Sequence, residues 1–278
     1  MSQNSKESAA DSAWDVSDPM VVRQLTPDIT TLSVPFTKAG ILKTGGRATL
    51  VKLASGSIVV ISAVKLTEHV RHAVGSFGGT VKYILAPNLE HYIHIAEWKN
   101  AFPDAEVIGP DLLPQKCAKN PLLKDVQLDI VYTSSNRSPS VSEEFDSEFD
   151  VEYLDSMASQ DIVLFHKRSK TVIEADLLFN VPATEQFSKS GKSATSGILF
   201  YFLAPLFSAK GSATWQKWLA WHVLSSKDRH GFTHSLERIN SWQFERIIPC
   251  HGDVIESEAR QVFAKVFERF LEGDNTND

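Results

Sequence analysis

Three short apolar runs in this chain stop at residue types that ligate metals, and this repeated ending constrains the fold more than any other feature. Residues 81–86 (VKYILA) close on Pro87-Asn88 and lead to His91 and His94. Residues 171–175 (TVIEA) end at Asp176, and residues 246–249 (RIIP) deliver Cys250-His251-Gly252-Asp253. Short runs that are apolar on both faces have the character of strands buried between layers, not of half-solvated ribbons. A strand end holds a side chain rigidly, and imidazole and carboxylate are the usual donors to zinc, iron and manganese. Each position also has an ordinary reading: His91 and His94 on a helix surface, Asp176 as a turn cap, His251 as a turn residue before Gly252. Taken together, the three endings point to one site.

The rest of the chain supplies the layers. Residues 29–37 (DITTLSVPF), 46–53 (GRATLVKL) and 57–66 (SIVVISAVKL) read as strands, the last two joined by a hairpin signal at Ala54-Ser55-Gly56. Thr67 is placed to cap a helix that Gly78-Gly79 ends. A second helix is expected over 90–101, putting His91 and His94 close to one turn apart. Strands are expected at 105–109, 126–132, 149–154 and 161–166, with a Ser- and Glu-rich loop over 134–148. Helices are expected over 212–226, 233–243 and 256–271, the last with Val262, Val266, Phe267 and Phe270 on one face. This order predicts an α/β protein with two sheets and helices outside them. No glycine-rich phosphate loop follows a strand, so nucleotide-binding folds lack their cradle.

Composition removes several function classes. A formal net charge of −6 argues against a general nucleic-acid binder. The two cysteines, Cys117 and Cys250, lie far apart without CxxC spacing, which favours a reducing, cytoplasmic compartment over a disulfide framework. Residues 1–19 are polar and acidic with no apolar core, unlike a secretory signal, and residues 1–27 are expected to be a flexible lead-in. Residues 273–278 (GDNTND) read as a disordered tail. The longest apolar stretch, 197–207, is about half the ~20 residues a membrane span needs and contains Pro205.

Over about residues 28–272 the chain resembles the metallo-β-lactamase-like superfamily. The resemblance runs through the opening strands RATLVKLASGSIVVISAVKL, then YILAPNLEHYIHIAEWKNAFPDAEVIGP, LFHKRSKTVIEADLLFN and IIPCHGD. More narrowly, APNLEH, WKNAFPDA, FHKRSKTVIEADLLFN and ERIIPCHGD are similar to a divergent branch known only as a domain of unknown function. The superfamily implies a four-layer αββα sandwich. It also implies that Asp176 is the metal-bridging acid and His251 the last metal histidine.

The chain departs from the catalytic pattern HxHxDH of that superfamily. Without a gap, Pro87 and Leu89 stand where imidazoles belong, and His91 stands where the acid belongs. The position of a further histidine falls on Met157, a poor ligand for a hard ion. The ligand candidates that remain are His91, His94, Asp176 and His251, too few for a binuclear centre. They suffice for one ion, zinc first and iron or manganese next, with Asp176 and His251 central to catalysis and water completing the shell. A metal-free state is the alternative, with Asp176 and His251 hydrogen-bonded across the strand ends.

Two further features bear on the ligand. Residues 183–196 are polar, and 197–221 carry Phe200, Tyr201, Phe202, Phe207, Trp215, Trp218 and Trp221. Segment 183–221 is a candidate lid, with Trp215 and Trp218 lining an apolar substrate pocket. His69, His72 and His166 read as exposed, and Gly231 argues against one helix carrying both His230 and His234. Two functions follow: a metal-dependent hydrolase of an ester-, lactone- or thioester-like small molecule, or an inactive relative that binds an apolar ligand or a partner protein without metal.

Overall fold

The computed structural model describes residues 20–272, so the expectations placed on 1–19 and on the tail 273–278 lie outside the described residues. The first sheet is built from β1 (Val21–Thr26), β2 (Ile29–Val34), β5 (Gly46–Lys52), β6 (Ser57–Ile61), β7 (Thr80–Leu85), β8 (Glu106–Pro110) and β9 (Ile130–Tyr132). Between β2 and β5 the small ribbon of β3 (Thr37–Lys38) and β4 (Leu42–Lys43) stands apart. The seven strands lie in the order β1-β2-β5-β6-β7-β8-β9, antiparallel as far as β6 and parallel from β6 onward. The second sheet has the order β10 (Phe149–Leu154), β11 (Asp161–His166), β12 (Thr171–Glu174) and β13 (Arg246–Pro249), with only β12 and β13 parallel.

Alternation along the strands creates the layers. In β5 and β6, Ala48, Leu50, Ile58 and Val60 face outward to α1 (Glu68–Phe77), α2 (Ile95–Ala101) and α3 (Leu113–Cys117). Their neighbours Val51, Val59 and Ile61 face inward, against Ile162, Leu164, Ile173 and Ile248 of the second sheet. The outer face of that sheet, Val163, Phe165, Val172 and Ile247, is covered by later helices through Phe232, Leu236, Ile239 and Phe263. The result is the expected αββα sandwich. At about 25 cal/mol per Å² of apolar surface, three stacked cores of this kind supply the dominant folding term.

Local chemistry sets the helix ends. Thr67 Oγ1 accepts from the Val70 amide at 3.3 Å to start α1, and Gly78, at φ 73°, ends it. Between β9 and β10 the polar 134–148 stretch contains α4 (Glu143–Glu148), capped by Ser142, where only a loop is expected from sequence. Beyond β12 come α5 (Thr184–Phe187), α6 (Ile198–Leu203), a 3₁₀ turn (Ala204–Phe207), α7 (Thr214–Leu219) and a π-helical turn (Ala220–Leu224). The helix α8 (Arg229–Ser241) starts four residues earlier than expected, because Asp228 Oδ1 caps it through the Gly231 amide at 3.0 Å. His230 and His234 therefore do share one helix, their Nε2 atoms 3.0 Å apart. The last helix is broken into α9 (Ala259–Val266) and α10 (Glu268–Leu271).

The strand β1 is the first correction. Val21–Thr26 falls inside the segment expected to be a flexible lead-in, yet it pairs along the outer edge of β2. Alternate residues there are half-buried and exposed, as in an edge strand, and that weak alternation is hard to see in six residues. His166 is the second: it is fully buried, with Nδ1 2.7 Å from Ser169 Oγ and Nε2 3.4 Å from Glu148.

Candidate metal centre

One rim of the sandwich collects the ends of β6, β7, β12 and β13 together with the starts of β5 and β11. This is the carboxyl end of the parallel strands, where open α/β sheets bind ligands. Residues that follow these strand ends converge although they are far apart in sequence. His91 Nε2 lies 3.2 Å from Asp176 Oδ2, and His251 Nε2 lies 3.5 Å from Asp176 Oδ1. The two imidazole rings sit 5.1 Å apart. Cys250 Sγ is 3.2 Å from His91 Nδ1, and Ser62 Oγ, after β6, is 3.0 Å from the same nitrogen.

The backbone of the Cys250-His251-Gly252-Asp253 turn explains why this run has this composition. Gly252 has φ 93°, and a Cβ there would lie 2.2 Å from the Asn180 carbonyl carbon, so only glycine fits. The turn is tied to the chain after β12: the Asn180 amide donates to the His251 carbonyl at 3.2 Å, and the Asp253 amide to Asn180 at 3.0 Å. Asp253 in turn accepts from the Glu185 amide at 2.9 Å. Beneath the turn lies Arg47, with no exposed side-chain surface, donating to the carbonyls of Pro249 at 2.5 Å and Gly252 at 2.8 Å.

Asn88 organises the other half of the rim. Its Nδ2 donates to Asp161 Oδ1 at 2.6 Å and to Asp176 Oδ2 at 2.7 Å. Its Oδ1 accepts from the amides of Glu90 and His91 at 2.8 and 2.9 Å. One buried amide thus places the His91 backbone and the Asp176 carboxylate together. Asp161 Oδ2 accepts from the Asp176 amide at 3.0 Å.

Proton positions follow from partners. His251 Nδ1 lies 2.5 Å from the Gly45 carbonyl, which can only accept, so Nδ1 carries the proton. Burial pushes the His251 pKa down to about 4, so at neutral pH its Nε2 presents a lone pair toward Asp176. For His91, burial favours the neutral ring, but Cys250 and Asp176 outweigh it and raise the pKa well above the ordinary value. Burial alone would raise Asp176, yet His91 and His251 hold it below the usual carboxylate range. Burial and the neighbouring Asp176 charge raise Asp161 to about 7. Cys250 is lowered, because His91 and Ser62 outweigh its burial.

A metal fits this donor set. Asp176 Oδ1 is buried without a hydrogen-bond partner, and it faces the lone pair of His251 Nε2. Two acceptors turned toward each other call for a cation between them. The contacts of 3.2 and 3.5 Å bracket the roughly 3.4 Å that separates ligands about a zinc ion with bonds of about 2.1 Å. His91 Nδ1 and His251 Nδ1 have their own partners, the arrangement that orients metal-binding imidazoles through their far nitrogens. Among the described residues, His91, Cys250 and His251 form a group whose potential ligand atoms all lie within 4.8 Å of one another.

His91, Asp176 and His251 therefore stand together, as read from the strand ends. His94 does not join them. The chain from Asn88 to His94 is not helical, α2 begins only at Ile95, and His94 Nδ1 meets Glu97 at 3.2 Å. The shared helical face expected for His91 and His94 requires a turn that Asn88 replaces with its own side-chain bonds. Trp215 lines a cavity together with Val181, Phe200 and Tyr201, whereas Trp218 lies over His222, with ring centroids 5.0 Å apart. Cys250, Asn88, Asp161 and Ser62 escaped the sequence reading. Cys250 had a signal, its place directly before His251; Asn88 looks like any turn residue after Pro87.

Comparisons with known proteins bear on the fold. Residues 39–197 match the family described as "Domain of unknown function (DUF4336)", a span that takes in His91 and Asp176 and stops short of His251. No curated protein matches the chain. Among solved structures, a metallo-β-lactamase from Pontibacter korlensis aligns with TM-score 0.55 at 10% identity, covering 92% of this chain and all of that one (100%). The DIM-1 metallo-β-lactamase aligns with TM-score 0.57 at 12% identity, covering 90% of this chain and 98% of that one. A flavoprotein from Thermotoga maritima aligns with TM-score 0.58 at 12% identity, over 90% of this chain and 60% of its own length. At these identities the likeness establishes the metallo-β-lactamase-like fold.

Proposed function

The chain belongs to the family described as a domain of unknown function (DUF4336), and from that premise we propose that it is a metal-dependent hydrolase with a single-ion centre. The ion would be held by His91 Nε2, Asp176 and His251 Nε2. The observation that carries this reading is the buried, unpartnered Asp176 Oδ1 facing His251 Nε2 at 3.5 Å. Two imidazoles and one carboxylate suit zinc, with iron or manganese as the next choices. When bound, such an ion supplies Lewis acidity toward water and toward a carbonyl oxygen. The protein's own groups do the positioning: Asn88 sets His91 and Asp176, the Gly45 carbonyl sets the His251 tautomer, and Ser62 with Cys250 sets the far side of His91. The substrate class that suits the aromatic segment beside the rim is an ester, lactone or thioester of an apolar acid.

The metal-free binding reading has one observation in its favour. His91, raised in pKa, pairs with Asp176 at 3.2 Å and can close the rim as an ion pair without a metal. Metal analysis of protein purified without added metal separates the two. Stoichiometric metal, lost in His251→Ala and Asp176→Asn together with hydrolysis of a 4-nitrophenyl or thioester substrate, supports the hydrolase. Metal below one-tenth of an equivalent, with no binding of added zinc, iron or manganese, overturns it; Asp176→Asn would then cost only about 1–2 kcal/mol of stability through lost hydrogen bonds.

A further inference from the structure

We propose that the cavity beneath α6 is a binding site for a small apolar anion, an aromatic or short aliphatic carboxylate whose charge is met by Lys210. As a binding site this stands apart from the metal reading; as the substrate class of the hydrolase it rests on that reading.

The cavity has a volume of about 510 Å³, within the range of small-ligand sites. Its floor is Val181 and the buried faces of Phe200 and Ala204, and its rim is Tyr201 and Trp215. Tyr201 is 69% exposed and Trp215 56%, so two large rings stand in water at the edge of an apolar hollow. Scattered exposed apolar residues need no explanation, but a concave cluster of aromatic rings does. Lys210 lines the same hollow and is exposed, with no carboxylate partner among the described residues. Ser208, Ser212 and Thr214 add hydroxyls on that side. One cation and a few hydroxyls at the edge of an apolar wall suit a ligand with an anionic end and an apolar body.

The hollow adjoins the candidate metal centre through few side chains. His251 stacks on Phe179 at 5.9 Å, and Phe179 meets Phe207 edge-on at 5.0 Å. Asn180 bridges both to Gly252, beside His251, and to Ser208, which lines the hollow. A ligand held there lies against the chain segment that carries the turn after His251.

The test uses the full chain stripped with EDTA, so that the state of the metal centre cannot decide it. Calorimetric titration compares 2-naphthoate with its neutral isostere 2-naphthamide, which has the same body without the charge. Naphthoate is expected to bind at one equivalent and at least tenfold more tightly than the amide. Lys210→Gln, an exposed substitution that leaves folding intact, is expected to remove that preference. Ala204→Trp, confirmed folded by circular dichroism, is expected to weaken both ligands tenfold or more by filling the floor. Asp176→Asn is expected to leave binding unchanged, which keeps this result separate from any failure of the metal reading. No binding of naphthoate, equal binding of the two ligands, or retention of the charge preference in Lys210→Gln overturns the proposal.

Discussion

Replacing Arg47 with methionine probes the part of the fold on which the His251 turn stands. Methionine keeps the length of the apolar stem and removes the guanidinium. Four acceptors lose a donor: the carbonyls of Pro249 and Gly252 at 2.5 and 2.8 Å, Ser33 Oγ at 3.0 Å, and Glu185 Oε1 at 3.3 Å. Charge-assisted bonds contribute about 1.5–3 kcal/mol each, so the two carbonyl bonds alone suggest roughly 3–6 kcal/mol. Glu185 is not abandoned, because Arg23 and Ser33 still donate to it at 2.8 and 2.7 Å. Removing the buried cation also relieves its own desolvation, which is what lowers the Arg47 pKa. The net expectation is a loss of about 3–5 kcal/mol, the usual cost of breaking a buried charged network from one side. Equilibrium urea unfolding measures it, and for a domain of this size the midpoint temperature should fall by roughly 10 °C. Metal affinity should fall with it, since the Pro249 and Gly252 carbonyls flank Cys250 and His251. A loss below about 1 kcal/mol, with metal affinity unchanged, would refute the assignment of Arg47 as the support of that turn.

Gly252→Ala should destabilise the fold or displace His251, because its Cβ would collide with Asn180 at 2.2 Å; thermal melting and metal content read both outcomes. Asn88→Ala should lower metal affinity at least tenfold while leaving the secondary structure intact, as it unties His91 and Asp176; unchanged affinity refutes its positioning role. Glu144 gives a pH test away from the site. Burial would raise its pKa, but hydrogen bonds from Lys82, Ser55, Tyr83 and Ser57 outweigh this and bring it to about 2. A carboxyl depressed in the folded state adds stability that is present above its unfolded pKa, about 4.5, and is lost as pH falls through about 2. Glu144→Gln should therefore be less stable than the parent at pH 6, with the gap in urea midpoint narrowing steadily as pH falls from about 4.5 toward 2; a gap that stays constant over that range contradicts this.

The layered α/β architecture was readable from the chain because its strands are local signals. Runs such as SIVVI and DIVLF alternate between two buried faces, and that alternation survives in the separate cores on either side of each sheet. The residues at the strand ends were readable for the same reason: His91, Asp176 and His251 follow short apolar runs, and buried parallel strands finish at one rim. The helix expected over 90–101 was misjudged at its start. Apolar spacing does not reveal that Asn88 folds back onto the amides of Glu90 and His91 and keeps that stretch out of the helix. His94 was lost from the site by that one local competition.

By itself, then, the amino-acid order determined the layers and pointed to Asp176, His251 and one of His91 and His94 as the side chains that follow strand ends, because both depend on periodicity and punctuation within a few residues. Tertiary structure decided everything that involves separation along the chain: Cys250 against His91, Asn88 between Asp161 and Asp176, Arg47 beneath Gly252. Those contacts depend on how two sheets pack and where their rims meet. Buried polar groups find partners only after that packing has placed them, so their roles carry no local sequence signal.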